Sequence, residues 1–193
     1  MNVDRDGLRK SILASLRAGI DALERLTDDS DSIAAAGDML LTSLRAGGKI
    51  MFCGNGGSAA LAQHLAAELT GRFLKERAPL AALSLNADSS ALTAIGNDYG
   101  FEQIFARQLR GIGRAGDVLV GISTSGNSPN IVAALQAARE AGISTIGLGA
   151  SAGGAMMEFC DICIRAPASR TDQIQELHNT IGHILCGLVE AAL

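Results

Sequence analysis

Five short apolar runs, at residues 49–53, 80–85, 117–122, 144–148 and 160–164, alternate with helical patterns at 57–70, 88–95, 101–111, 129–141 and 172–192. Few arrangements satisfy that order. Strands that are apolar along their whole length need cover on both faces, and a helix between two strands brings the chain back to the same end of the sheet. The order predicts an α/β fold, a three-layer αβα sandwich on a five-stranded parallel sheet. At 193 residues the chain can enclose one large core. It reads as a single domain, with an N-terminal helical pair at 1–46 ahead of an αβα core at 47–193. Ligands of such sheets bind beyond the carboxyl ends of the strands.

Residues 6–27 place Leu8, Ile12, Leu16, Ile20, Leu23 and Leu26 at steps of four, four, four, three and three, which draws one stripe on a long helix. A second helix is expected at 31–46, closed by Gly47-Gly48. A stripe this long on a terminal helix suits contact with another copy of the chain, so a homo-oligomer is expected.

The net charge of −4, with no basic cluster, argues against nucleic acid as a partner. Asp4, Arg5, Asp6, Arg9 and Lys10 exclude a signal-peptide pattern. Residues 118–138 lack charge but carry Ser, Thr, Asn, Pro and Gln, so they are not a membrane span. A cytoplasmic protein with its four cysteines as thiols is the expectation. Cys160-x-x-Cys163 has no second such pair and reads as packing.

Two loops carry the chemistry. Gly121-Ile-Ser-Thr-Ser-Gly-Asn-Ser-Pro129 links an apolar strand to a helix and gathers the hydroxyls of Ser123, Thr124, Ser125 and Ser128. Ser128 suits an N-cap and Pro129 the first helical position, so the helix start would turn its N–H groups on the loop's ligand. A phosphate monoester fits there, held by hydroxyls and backbone dipoles because the loop has no Lys or Arg. Ile50-Met-Phe-Cys-Gly-Asn-Gly-Gly-Ser58 echoes this pattern, and the two loops can meet at one sheet edge. Gly54-x-Gly56-x-x-Ala59 matches a dinucleotide fingerprint, but no acidic residue closes the second strand to hold a ribose. No nucleotide cofactor is expected.

His64 and Glu68 share a helical face by their spacing of four. Gln175, His178 and His183 lie on the last helix, where Gln175 and His183 can face one side. Two imidazoles, a carboxylate and an amide oxygen can hold a divalent metal, and the same groups can move protons. Asn97-Asp98 after Gly96 reads either as a turn at a helix end or as a polar pair for sugar hydroxyls.

With these motifs laid out, the chain resembles the sugar isomerase (SIS) domain family, and within it the branch acting on sedoheptulose 7-phosphate. The resemblance rests on Cys53-Gly-Asn-Gly-Gly-Ser58, His64 through Arg72, Gly96 through Gly100, Gly116 through Ser128, and Ile174 through His183. It implies an aldose–ketose isomerase working through an enediol, with a product that feeds surface-heptose synthesis. A homotetramer is implied, with one zinc per subunit and active sites near subunit interfaces. Ser123, Thr124, Ser125 and Ser128 would hold the phosphate. Asn55, Gly56, Gly57, Asn97 and Asp98 would contact the sugar. His64, Glu68, Gln175 and His183 would bind zinc, with Gln175 and Glu68 also touching substrate. Glu68 and His183 would handle protons, assisted by Asp172. Members of this branch usually carry Asp where this chain has Leu61, which can neither carry charge nor accept a hydrogen bond. The rival reading is a non-catalytic SIS protein that binds a replication initiator or senses phosphosugars. Proteins of that kind lack parts of the acid/base and metal set.

Overall fold

A computed structural model describes residues 4–193. Two helices, α1 (Arg5–Leu26) and α2 (Ser30–Arg45), precede the sheet. The strands β1 (Ile50–Gly54), β2 (Ala82–Ser84), β3 (Val118–Ile122), β4 (Ser144–Ala150) and β5 (Ile162–Ala166) are all parallel, in the order β2-β1-β3-β4-β5. Between them run α3 (Gly57–Thr70), α4 (Ser89–Tyr99), α5 (Ala106–Ile112) and α6 (Pro129–Glu140), and α7 (Thr171–Ala192) follows β5. The three-layer αβα architecture expected from the alternation is present.

Alternation along each strand builds the two covered faces. On β1, Ile50 and Phe52 join Val118, Val120, Ile146 and Leu148 under α2, α3 and α7. Met51 and Cys53 point the other way, with Leu119, into a second core formed with α5 and α6. The central strands β1 and β3 are buried at every residue, as parallel strands under two helical layers must be.

The order reverses between β1 and β3: the chain goes from β1 outward to β2, then returns to β3 on the other side. That is a switch point, where the loops leaving two neighbouring strands part and open a crevice. The register sets Cys53 beside Gly121 and Gly54 beside Ile122, so the two polar loops leave the sheet side by side.

At the opposite edge, Asp117 is buried at the foot of β3 and bonds the Lys49 amide (3.0 Å), the Lys49 ammonium (2.5 Å) and the Arg114 amide (2.8 Å). Burial pushes its carboxyl up, but those donors outweigh burial and hold it below the ordinary carboxylate range. A depressed native pKa gives stability that is complete above the unfolded value, near 3.9, and is lost as pH falls through the native value. Asp117→Asn should lower Tm at pH 7. The gap to the native protein should close as pH drops from about 5 towards 3, which thermal melts across that range would show.

Only the last turns of α1 pack on the chain's own core, through Ala22 and Leu26. Leu8, Ile12, Leu16, Ile20 and Leu23 are between 45% and 60% exposed, so all of the stripe but Leu26 faces outward in one subunit.

Candidate active site

Both loops at the switch point are tied together by an amide pair. Asn55 Nδ2 donates to Asn130 Oδ1 (2.8 Å), and Asn130 Nδ2 donates back to Asn55 Oδ1 (2.9 Å). Asn86, just past β2, clasps Gly54: its Oδ1 accepts from the Gly54 amide (3.2 Å) and its Nδ2 donates to the Gly54 carbonyl (2.9 Å). An Asn thus occupies the place where a dinucleotide site would need an acid. Asp88 beyond it is spent as the N-cap of α4, accepting from the Ala91 amide at 2.9 Å.

In the serine loop, Ser123 Oγ lies 3.0 Å from Ser128 Oγ and 3.4 Å from Ser125 Oγ. Three hydroxyls therefore converge, with Ser123 buried below and Ser125 exposed at the rim. Ser128 holds the N-cap position and Pro129 the first turn, as expected. The Ser128 hydroxyl makes no bond to the helix, however, and faces the other hydroxyls instead. The loop turns at Gly126, where φ is +67° and a Cβ would lie 1.8 Å from the Gly153 carbonyl oxygen. Segment 153–156 buttresses it from behind: the Met156 amide donates to Gly126 O (2.9 Å) and the Ala155 amide to Asn127 Oδ1 (2.8 Å).

On α3 and α7, His64 Nε2 stands 2.8 Å from His183 Nε2 and 3.4 Å from Glu68 Oε1. One ligand atom from each residue falls within 4.8 Å of the others. Phe73 stacks on the His183 ring at 5.5 Å and 23°, while His64 meets the same ring edge-on at 5.1 Å. A tetrahedral ion with Zn–N bonds near 2.0–2.1 Å separates two nitrogens by about 3.3 Å, so a small opening of the histidine pair accommodates it. The donor set suits zinc: two imidazoles and a carboxylate.

Gln175 rests against the start of α3, where a Cβ on Gly57 would lie 2.6 Å from its Nε2 and would displace the amide from this seat. A cleft of about 590 Å³ runs between α3 and α7, walled by Gly57, Leu61, His64, Asp172 and Gln175 among others. Asp172 sits at its rim, exposed and paired with Arg170 at 2.5 Å. The bond to Arg170 holds its carboxyl below the ordinary range, so it stays a carboxylate near neutrality. Leu61, 8% exposed, gives the wall an apolar patch and belongs to the core beneath it.

Several expected residues are placed differently. The helix expected to end at 95 continues, so Asn97 and Asp98 lie within α4 rather than in a turn, exposed and bonded to each other at 2.8 Å. They stand about 13 Å along α4 from its start and outside the cleft of their own chain. His178 turns inward, its Nε2 bonded to Gly149 O at 2.9 Å, and takes no part in the His64–His183 pair. Asn86, Asn130 and Phe73 were not expected from sequence. An Asn directly after a strand end was the available signal for Asn86; Phe73 had none.

A family model described as the SIS domain matches residues 16–150. The chain is 58% identical over 186 residues to a phosphoheptose isomerase of Rhodospirillum rubrum, covering 96% of this chain and 99% of the relative. It is 50% identical over 196 residues to another from a Bradyrhizobium strain, covering 100% and 98%. The solved phosphoheptose isomerase GmhA of Neisseria gonorrhoeae superposes with a TM-score of 0.90 at 43% identity, over 95% of this chain and 99% of that one.

Proposed function

The chain belongs to the SIS domain family, in its phosphoheptose isomerase branch, and from that footing we propose that it interconverts sedoheptulose 7-phosphate and D-glycero-D-manno-heptose 7-phosphate. The meeting of His64, Glu68 and His183 beside the cleft carries the reading, because a carboxylate and two imidazoles within 4.8 Å of one another can both hold a divalent metal and move protons.

Ketose and aldose differ in where one hydrogen sits. A proton must leave C1 and arrive at C2, while another moves between the two oxygens, by way of an enediol. Glu68 is assigned the carbon-bound proton: Oε1 faces His64, and the second oxygen remains for the substrate. His183, held between Phe73 and His64, carries the proton between the oxygens. Ser123, Thr124, Ser125 and Ser128 take the phosphate, and Asn55, Gly56, Gly57 and Gln175 the sugar between. From Gly57 to His64 is two turns of α3, about 10 Å, comparable to an extended seven-carbon phosphate. The phosphate then serves as an anchor, and its binding energy orients the reacting end. Asp172, fixed as a carboxylate, assists at the rim by accepting hydroxyl hydrogens.

Zinc would be held by His64, Glu68 and His183, and would supply Lewis-acid polarisation of the carbonyl; Gln175, whose amide rests against Gly57 in the single chain, is assigned as fourth donor and would have to swing along the cleft to serve. The exposed α1 stripe supports a homo-oligomer, and a tetramer is the form proposed. Asn97 and Asp98, exposed and not lining their own chain's cleft, are assigned to that of a neighbouring copy. No helix among the described residues is long and apolar enough to cross a membrane. A cytoplasmic enzyme supplying surface-heptose synthesis is proposed.

Protein stripped by a chelator, then resupplied with zinc, should convert the ketose phosphate to the aldose phosphate only after resupply. Absence of turnover on any heptulose or pentulose phosphate, with zinc and without it, would remove the isomerase reading.

A further inference from the structure

Glu190, near the end of α7, is 6% exposed and its carboxylate is fully engaged. It accepts from the amides of Phe73 (3.0 Å), Leu74 (2.8 Å) and Lys75 (2.9 Å) and from Arg77 Nε (3.2 Å). Arg77 spends its other nitrogens on the end of α3, donating to Glu68 O (2.7 Å) and Leu69 O (2.9 Å), and on Ala78 O (3.0 Å). Those α3 carbonyls belong to the last turn, which has no partners of its own within the helix.

One ion pair thus fastens together the end of α3, the segment 71–78 and the end of α7. Burying two charges is an inefficient way to gain stability, since desolvation can exceed the attraction. What the arrangement does achieve is placement. The segment it pins delivers Phe73 onto the His183 ring, and the backbone carbonyl it grips is that of Glu68. Both residues assigned to proton transfer are therefore held, one through a stacked ring and one through its own main chain.

We propose that Arg77 and Glu190 are positioning residues for the reaction, acting through Phe73 on His183 and through the α3 terminus on Glu68. This rests on the isomerase reading above. Without the pair, the 71–78 segment loosens, Phe73 leaves the ring, and His183 gains rotational freedom. Outer partners of this kind typically change metal affinity or activity by 10- to 100-fold.

The test compares Phe73→Leu, Phe73→Tyr and Glu190→Gln with the native protein, with His183→Gln as reference. Four quantities are read: kcat, KM, the zinc dissociation constant by chelator competition on metal-free protein, and Tm. Phe73→Leu should keep Tm within a few degrees and KM within about twofold, while kcat falls and the zinc dissociation constant rises by about tenfold or more. Phe73→Tyr, which restores a ring face, should recover both. Glu190→Gln should follow Phe73→Leu in kcat and zinc affinity, with an additional loss of Tm. Native kcat and zinc affinity in Phe73→Leu, with inactive His183→Gln, would overturn the positioning role alone. Active His183→Gln would overturn the reading of the site, and this inference with it.

Discussion

Glu68→Gln should lower kcat for sedoheptulose 7-phosphate by about 10³-fold, about 4 kcal/mol of barrier, and leave KM within a few-fold of native. The amide matches the carboxylate in shape, and Glu68 is half-buried on a helix whose packing does not depend on its charge. What the amide cannot do is take a proton from carbon. The same substitution weakens a metal ligand, so the two roles are separated by titrating zinc. If Glu68 is the base, saturating zinc leaves the loss in place; if it is only a ligand, zinc restores the rate. His183→Gln should cost a similar factor, since it removes both the group for the oxygen-borne proton and the ring that Phe73 stacks upon. Size-exclusion profiles of both variants should match native. A rate within tenfold of native in either would refute the role given to that residue.

Gly126→Ala should raise KM by at least tenfold. Two costs act at one residue. A side chain at φ +67° costs roughly 1–2 kcal/mol, and the new Cβ would lie 1.8 Å from the Gly153 carbonyl oxygen, a contact that backbone on both sides must move to relieve. Movement there pulls Ser123, Ser125 and Ser128 out of their mutual 3.0–3.4 Å arrangement, which is the proposed seat of the phosphate. A factor of ten in binding is about 1.4 kcal/mol, which the loss of one or two hydroxyl contacts to the anion would supply. Inorganic phosphate, tested as a competitive inhibitor, should lose affinity in parallel with the substrate. Unchanged KM and unchanged phosphate inhibition would show that the hydroxyl cluster does not seat the anion.

The sheet was legible because each strand is a continuous apolar run, and two-sided burial leaves such runs few other places to go. The 80–85 run shortened to Ala82–Ser84, at an edge where only β1 is available for pairing. Gly96 misled at α4 because a glycine can end a helix or lie inside one. Here the helix passes through it to Tyr99 and stops at Gly100, with φ of +88°. The periodicity of α1 showed an apolar face correctly, but periodicity says nothing of what covers that face, and the chain itself covers only its last turns. The serine loop and the His64–Glu68 spacing were readable as local patterns. The pairing of Asn55 with Asn130, 75 residues apart, and of Arg77 with Glu190, 113 apart, was not. Those contacts exist only once the strand order has been set, and no local rule links their members.

On the proposed mechanism, one substrate reaches from the serine loop of β3, across the β1 loop, to the imidazole pair between α3 and α7. A crystal structure of the Glu68→Gln protein with zinc and sedoheptulose 7-phosphate tests this directly. The phosphate oxygens are expected within hydrogen-bonding reach of the Ser123, Ser125 and Ser128 hydroxyls, and C1 and C2 of the same molecule beside residues 68 and 183 of one or two adjoining subunits. A sugar phosphate bound with its phosphate elsewhere, or with its carbonyl end turned away from His183 in every subunit, would contradict it.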